Sequence, residues 1–127
     1  MHIFVLKSKS MEKELIKEGG FSYIEKGEGR PIIILHGLMG GLSNFQGVFE
    51  HFPLKNYKVI IPELPVDSTP ILKTNVATFS KFVKEFIDFK NLKDVILLGN
   101  SLGGHVGLLF TRDYPELVSG LIITGSS

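Results

Sequence analysis

The sequence predicts an α/β fold in which a doubly wound, mostly parallel β-sheet begins with an antiparallel N-terminal hairpin. Strand and helix patterns alternate from residue 32 onward, several strand patterns are apolar without interruption, and Gly19-Gly20 separates two short strand patterns. Uninterrupted apolar strands are typical of parallel sheets that are covered on both faces. The alternation favours right-handed crossovers between neighbouring parallel strands.

The hairpin is predicted from residues 13–18 and 21–26, with the two glycines supplying the positive φ angles of a tight turn. A strand over residues 32–35 follows, because four consecutive large apolar residues end sharply at His36-Gly37. Residues 1–12 have no periodic pattern and are expected to form a loosely ordered extension, with Met11 as an alternative start.

The later elements are predicted from capping residues and from apolar spacing. The amphipathic pattern over 75–89 places phenylalanines at three- and four-residue spacing, which predicts a helix packed on the sheet rather than a cofactor site. In chain order we expect a helix over 44–52 capped by Ser43, a strand over 57–61 ended by Pro62, the helix over 75–89, a strand over 94–98, a helix over 102–112 and a strand over 117–124.

Composition limits the classes of partner. The 127 residues fit one domain, and 14 basic against 13 acidic residues leave a net charge of +1, so no nucleic-acid or membrane partner is indicated. There is no cysteine, His2 and His51 lack ligands at metal-binding spacing, and neither a metal nor a cofactor is predicted. The first residues are too weakly apolar for a signal peptide, so we expect a soluble, cytoplasmic protein.

The candidate nucleophile is Ser101, in the stretch Gly99-Asn100-Ser101-Leu102-Gly103. Gly-x-Ser-x-Gly alone is a weak signal, but here it joins a buried strand pattern to a helix pattern. In that setting two glycines allow the helix to start close against the strand end while the serine holds a strained backbone. The residues therefore predict a raised, accessible serine at a helix N-terminus.

An oxyanion site is expected beside this serine. The backbone N–H of Leu102 lies at the helix start, where unpaired N–H groups favour negative charge. A second donor is expected from the glycine-rich loop after His36, with Leu38 as first choice and Met39 as the fallback. Gly37 and Met39 are also assigned to binding a small-molecule substrate, whereas His36 fits the loop scaffold better than the role of catalytic base.

These two motifs resemble the oxyanion loop and nucleophile elbow of the α/β-hydrolase family, and the resemblance covers residues 21–127. It implies the N-terminal half of such a fold, in which the acid and the base histidine come later in the chain. One departure is the stretch over residues 63–70, which has no glycine where many members have an Asp-x-Pro-Gly-x-Gly turn.

The catalytic base is the missing component. Only His105, Asp113 and Glu116 follow Ser101; His105 lies one helical turn deeper and is expected to pack beneath the turn. We therefore expect a serine hydrolase acting on an ester or a related acyl or C–C bond, truncated before its acid and base and inactive alone. A missing C-terminal half or a partner chain would cover the last strand. The alternatives are an acyltransferase or lyase on the same fold and a non-catalytic binding protein.

Overall fold

The residues that the structure describes form a six-stranded mixed sheet. The computed structural model describes residues 15–36, 55–64 and 76–125. Its strands run in the order β1-β2-β4-β3-β5-β6. The elements are β1 (Ile16–Glu18), β2 (Phe21–Gly27), β3 (Arg30–Leu35), β4 (Tyr57–Pro62), α1 (Val76–Lys90), β5 (Val95–Asn100), α2 (Leu102–Asp113), a 3₁₀ turn (Pro115–Leu117) and β6 (Val118–Thr124).

The antiparallel part of the sheet is the N-terminal hairpin and its junction with β4. Gly19 and Gly20 have φ values of 58° and 85°, so both carry the positive φ that the turn requires. β1 pairs antiparallel with β2, and β2 pairs antiparallel with β4 rather than with the next strand in sequence. The pairs β4–β3, β3–β5 and β5–β6 are all parallel. The predicted mostly parallel sheet with an antiparallel start is confirmed.

Both faces of the sheet are apolar, which explains the uninterrupted apolar strand patterns. Along β3, Ile33 and Leu35 face one cluster while Ile32 and Ile34 face the other, because side chains alternate along a strand. The first cluster also contains the buried faces of α1 and α2. The second cluster consists of Ile24, Ile32, Ile34, Val59 and Ile61, with Leu15, Tyr57, Ile96 and Leu98 packed against it.

The two described helices lie on the same face. From β4 through α1 to β5, and from β5 through α2 to β6, the chain advances in the same direction across the sheet. Crossovers of one handedness that advance in one direction place their helices on one side. Phe79 and Phe86 of α1 are fully buried there, as is Phe110 of α2, so core packing of the phenylalanine pattern is confirmed except at its end, where Phe89 is 43% exposed.

Element bounds differ from the sequence predictions by a few residues. β3 begins at Arg30 rather than residue 32, because its first residues pair with Tyr57 and Lys58 of β4. β6 begins at Val118 because the preceding Pro115–Leu117 forms one 3₁₀ turn. The predicted extension over 1–12, the start of the hairpin at 13–14 and the helix over 44–52 lie outside the described residues.

The last strand forms an edge of the sheet. Among the described residues, Leu121 packs against the first cluster, whereas Ile122 is 47% and Ile123 37% exposed, which is consistent with the expectation that a further segment or a partner chain covers this strand. The physical reason is that β5 is the only described strand paired with β6. Among the described helices, none has the length and apolarity needed to cross a membrane.

Candidate functional site

The turn between β5 and α2, residues Gly99–Gly103, is called the elbow below. Ser101 lies at its centre with φ 57° and ψ −120°, and it is exposed. Within the described ranges the other non-glycine residues with positive φ are Asn91 and Asp94, residue types that tolerate this conformation. Serine does so less readily, and strained backbone of this kind concentrates at functional sites.

Two glycines make the elbow sterically possible. A Cβ on Gly99 would lie 2.3 Å from the carbonyl oxygen of Gly103, and a Cβ on Gly103 would lie 2.0 Å from that of Leu35. Neither backbone atom can move away without shifting a strand or the helix start. The first turn of α2 therefore packs directly on the ends of β5 and β3, as the glycine spacing predicts.

The hydroxyl of Ser101 is not used to cap the helix. Serine is a preferred N-cap residue, and its side chain usually accepts a hydrogen bond from the first helical turn. Ser101 occupies the N-cap position of α2 but makes no such side-chain bond. Its backbone is bonded instead: the N–H donates to the carbonyl of Thr124 at 3.0 Å, and its carbonyl accepts from Gly104 N–H at 2.9 Å. Ser101 therefore does not act as an ordinary helix-capping serine.

The surroundings of Ser101 favour negative charge. Leu102 is the first residue of α2, so its N–H has no carbonyl acceptor within the helix. No acidic side chain lies in the first turn of the helix to oppose an anion. The positive end of the helix dipole therefore points toward the region where an oxyanion would form next to Ser101.

The predicted oxyanion loop starts beside the elbow. Leu35 pairs with Gly99 across β3 and β5, and His36 follows at the end of β3 with only 3% of its surface exposed. This burial fits the scaffold role predicted for His36. The loop itself, with Gly37, Leu38 and Met39, lies outside the described residues, so the assignments of Leu38 as donor and of Gly37 and Met39 as substrate contacts stay predictions.

His105 does not pack beneath the turn, so that expectation is wrong. The buried side of α2 is taken by small or branched residues such as Gly104 and Val106, which places His105 on the exposed side. There it lines an open groove of about 560 Å³ together with Val76, Leu108, Leu109 and Arg112.

The two carboxylates that follow Ser101 lie at the other end of α2 or beyond it. Asp113 is exposed and its side chain contacts Arg112 at 3.0 Å. Asp113 is the twelfth residue after Ser101 along the helix, a rise of roughly 18 Å. Glu116 lies farther along the chain and is exposed. Neither residue reaches the elbow, and no group of three potential metal ligands occurs among the described residues.

One contact at the site was missed by the sequence interpretation. Thr124 Oγ1 donates a hydrogen bond of 3.2 Å to Asn100 Oδ1, and Gly125 follows with φ 57°. The only sequence signal is a Thr-Gly pair at the end of a strand pattern. Its partner is 24 residues away and depends on the β5–β6 register, which the local pattern does not specify.

This chain is similar to known proteins over most of its length. A family model described as alpha/beta hydrolase fold matches residues 30–127. A 2-hydroxy-6-oxo-6-phenylhexa-2,4-dienoate hydrolase of Comamonas testosteroni is 31% identical over 125 residues, covering 93% of this chain and 43% of that protein. A 2-hydroxy-6-oxononadienedioate/2-hydroxy-6-oxononatrienedioate hydrolase of the same species is 32% identical over 108 residues, covering 80% of this chain and 38% of that protein.

Solved structures show the same similarity. An alpha/beta hydrolase enzyme from the metagenome of sediments from the lagoon of Mar Chica, Morocco, is 65% identical with a TM-score of 0.82, covering 89% of this chain and 52% of its own. A marine microorganism esterase is 28% identical with a TM-score of 0.72, covering 81% and 40%. The chain therefore spans about two fifths of the length of these curated relatives and about half of the metagenomic enzyme.

Proposed function

Because this chain belongs to the alpha/beta hydrolase fold family, we propose that it supplies the nucleophile half of a serine hydrolase acting on a carboxylic ester. The observation that carries the proposal is the state of Ser101. It is exposed, held at a positive φ between two glycines with no room for a Cβ, and not used as a helix cap. A serine that served only as a turn residue would need none of these three properties.

In the proposed reaction, Ser101 Oγ attacks the ester carbonyl carbon while a base takes its proton. The carbonyl oxygen becomes negative and accepts hydrogen bonds from the backbone N–H groups of Leu102 and Leu38. Collapse of this intermediate expels the alcohol, protonated by the same base, and leaves an ester on Ser101. Water then attacks that ester, releasing the acid and restoring the serine.

The base and the acid that orients it are proposed to lie outside residues 1–127. His105 faces the groove on α2, and Asp113 lies at the far end of that helix. The relatives extend well beyond the matched region, since the chain covers 43% of one and 52% of another. The same additional segment would cover the exposed edge of β6.

Cleavage of a C–C bond is a second candidate. It is favoured by the curated relatives, which are named as hydrolases of 2-hydroxy-6-oxo dienoates. The same elbow would then bind a ketone rather than an ester, and the leaving group would be carbon. Assaying the full-length protein with a p-nitrophenyl ester and with a 2-hydroxy-6-oxo-dienoate separates the two candidates by their kcat/KM values.

The nucleophile is tested by labelling the full-length polypeptide that contains this chain with a serine-directed fluorophosphonate. We expect stoichiometric labelling, and we expect Ser101→Ala to abolish it. Ser119→Ala is the matched control, because Ser119 is also exposed and its hydroxyl bonds only a backbone carbonyl, that of Asp94 at 3.0 Å. A well-folded protein that is not labelled would support the non-catalytic binding role instead. Equal labelling after Ser101→Ala would overturn the assignment of Ser101 as the nucleophile.

A further inference from the structure

The end of β6 is joined to the elbow by a side-chain contact next to Ser101. Asn100 and Thr124 are the last paired residues of the β5–β6 ladder, and the threonine hydroxyl donates to Asn100 Oδ1 at 3.2 Å. The carbonyl of the same threonine accepts the N–H of Ser101 at 3.0 Å. We propose that Asn100 and Thr124 are positioning residues that hold Ser101 in its attacking conformation, an inference that rests on the proposed function of Ser101.

The strained backbone of Ser101 needs such support. A residue at φ 57° keeps that conformation only when its surroundings fix it. The two backbone bonds of Ser101 run to opposite sides, one to Gly104 inside α2 and one to Thr124 on β6. The bond to Gly104 belongs to the helix start, so the bond to Thr124 is the one that ties Ser101 itself to a neighbouring strand.

The Thr124 carbonyl lies in a weakly paired part of the sheet. Thr124 is exposed and stands at the end of an edge strand, where pairing is weakest. The hydroxyl bond to Asn100 secures this end. Gly125 lies close to the same amide oxygen, since a Cβ there would lie 2.6 Å from Asn100 Oδ1. The Asn100 amide oxygen therefore lies close to both Thr124 and Gly125 at the end of β6.

The test uses Thr124→Val, which keeps the β-branched shape and removes only the hydroxyl. Two rates are measured in the full-length polypeptide well below its unfolding temperature: the second-order rate of fluorophosphonate labelling, and amide hydrogen exchange at Ser101 followed by NMR. We expect labelling to slow by roughly three- to tenfold and exchange at Ser101 to accelerate by a similar factor, the range that one hydrogen bond supplies.

Three further variants make the result specific. Thr124→Ser keeps the hydroxyl and should restore both rates to within about twofold of wild type. Ser119→Ala deletes a hydroxyl from the same strand and should leave both rates unchanged. Asn100→Ala should slow labelling as Thr124→Val does, and the double variant should be no slower than the slower single variant, because both remove one bond.

The outcomes separate this inference from the proposed function. If wild type is not labelled, the proposed function fails and the exchange rates alone decide whether the pair positions Ser101. If Thr124→Val lowers thermal stability but changes neither rate, the pair is only structural and the inference is overturned. Independent, multiplying effects of the two single variants would overturn it as well.

Discussion

At the scale of single residues, the site depends on a side chain in an unfavourable backbone conformation at one position and on the absence of a side chain at another. Ser101 has a side chain where the conformation favours glycine, and Gly103 has none where a side chain would collide with β3. The serine is exposed in this conformation, and the missing Cβ at Gly103 lets the first turn of α2 pack against the end of β3. Both features lie within the same short turn and set its geometry.

We predict that Gly103→Ala disrupts the elbow. The added Cβ would lie 2.0 Å from the carbonyl oxygen of Leu35, so the start of α2 must move. We expect a loss of roughly 2 to 4 kcal/mol in the free energy of unfolding and loss of fluorophosphonate labelling, measured by urea denaturation and by the labelling rate.

Gly107→Ala is the matched control for this prediction. Its Cβ would meet only the mobile end of Leu121, at 2.9 Å from Cδ1, and alanine favours a helix interior by about 1 kcal/mol over glycine. We expect it to be neutral or slightly stabilising and fully labelled. Equal damage from both substitutions would show that α2 tolerates no added side chain anywhere on its buried face, and the argument for the elbow would fail.

At the scale of elements, local patterns predicted what each segment forms but not which strands become neighbours. The hairpin turn, the buried strand after residue 30 and the phenylalanine face of α1 all follow from local spacing. The pairing of β2 with β4 does not, because it joins segments separated by a whole strand and a connection. The prediction for His105 also failed because it depended on tertiary packing: glycines rather than the histidine occupy the buried side of α2.

The C-terminal end of α1 is fixed to β2 by a small polar cluster. Lys90 Nζ lies 2.7 Å from Glu25 Oε1 and donates to Tyr23 Oη at 3.2 Å, and Tyr23 in turn donates to Glu18. Lys90 and Glu25 therefore form a short ion pair. Burial raises the pKa of Tyr23, with the bond to Glu18 adding to the effect. Burial lowers the pKa of Lys90, but its contacts with Glu25 and Tyr23 outweigh that effect and raise it above 10.5.

We predict that this cluster makes the protein sensitive to alkali. Because both folded-state pKa values are raised, the folded protein keeps its protons longer than the unfolded chain, whose values are 10.0 for tyrosine and 10.5 for lysine. The stabilisation is complete below about pH 10 and is lost as the pH rises through the raised values. Urea denaturation between pH 8 and 11.5 should show this fall.

Two lysine variants test the assignment. Lys90→Met should cost roughly 1 to 2 kcal/mol at pH 8, because Glu25 loses its partner, and should show a shallower fall at high pH. Lys84→Met is the control: Lys84 pairs with Asp88, but both side chains are more exposed, so little change is expected. Identical alkaline slopes in wild type and Lys90→Met would refute the assignment.

At the scale of the whole molecule, the two edges of the described sheet differ in length and in exposed apolar surface. The hairpin ends one edge with the three-residue strand β1, a short edge that offers little backbone for further pairing. The opposite edge is β6, seven residues long with Ile122 and Ile123 exposed. The alternation of apolar strands predicted a covered sheet, but what covers β6 depends on contacts that no local pattern within these residues encodes.

We predict that residues 1–127, expressed alone, associate through this edge. A long, apolar edge strand offers unpaired backbone groups to another copy, and a charged side chain on such a strand opposes pairing. Size-exclusion chromatography with light scattering should therefore show concentration-dependent oligomers for the wild-type sequence and a larger monomer fraction for Ile122→Lys.

Leu108→Lys separates edge pairing from general stickiness. Leu108 is more exposed than Ile122, at 52% against 47%, but it lies on α2, where the backbone is already bonded within the helix. If strand pairing drives association, Leu108→Lys should leave the oligomers unchanged, whereas Ile122→Lys should shift them toward monomer. Equal effects of the two lysines would indicate nonspecific apolar contact instead.

In the full-length polypeptide, Ile122→Lys is expected to be harmful instead. A segment that covers β6 would bury Ile122, so Ile122→Lys should lower the free energy of unfolding.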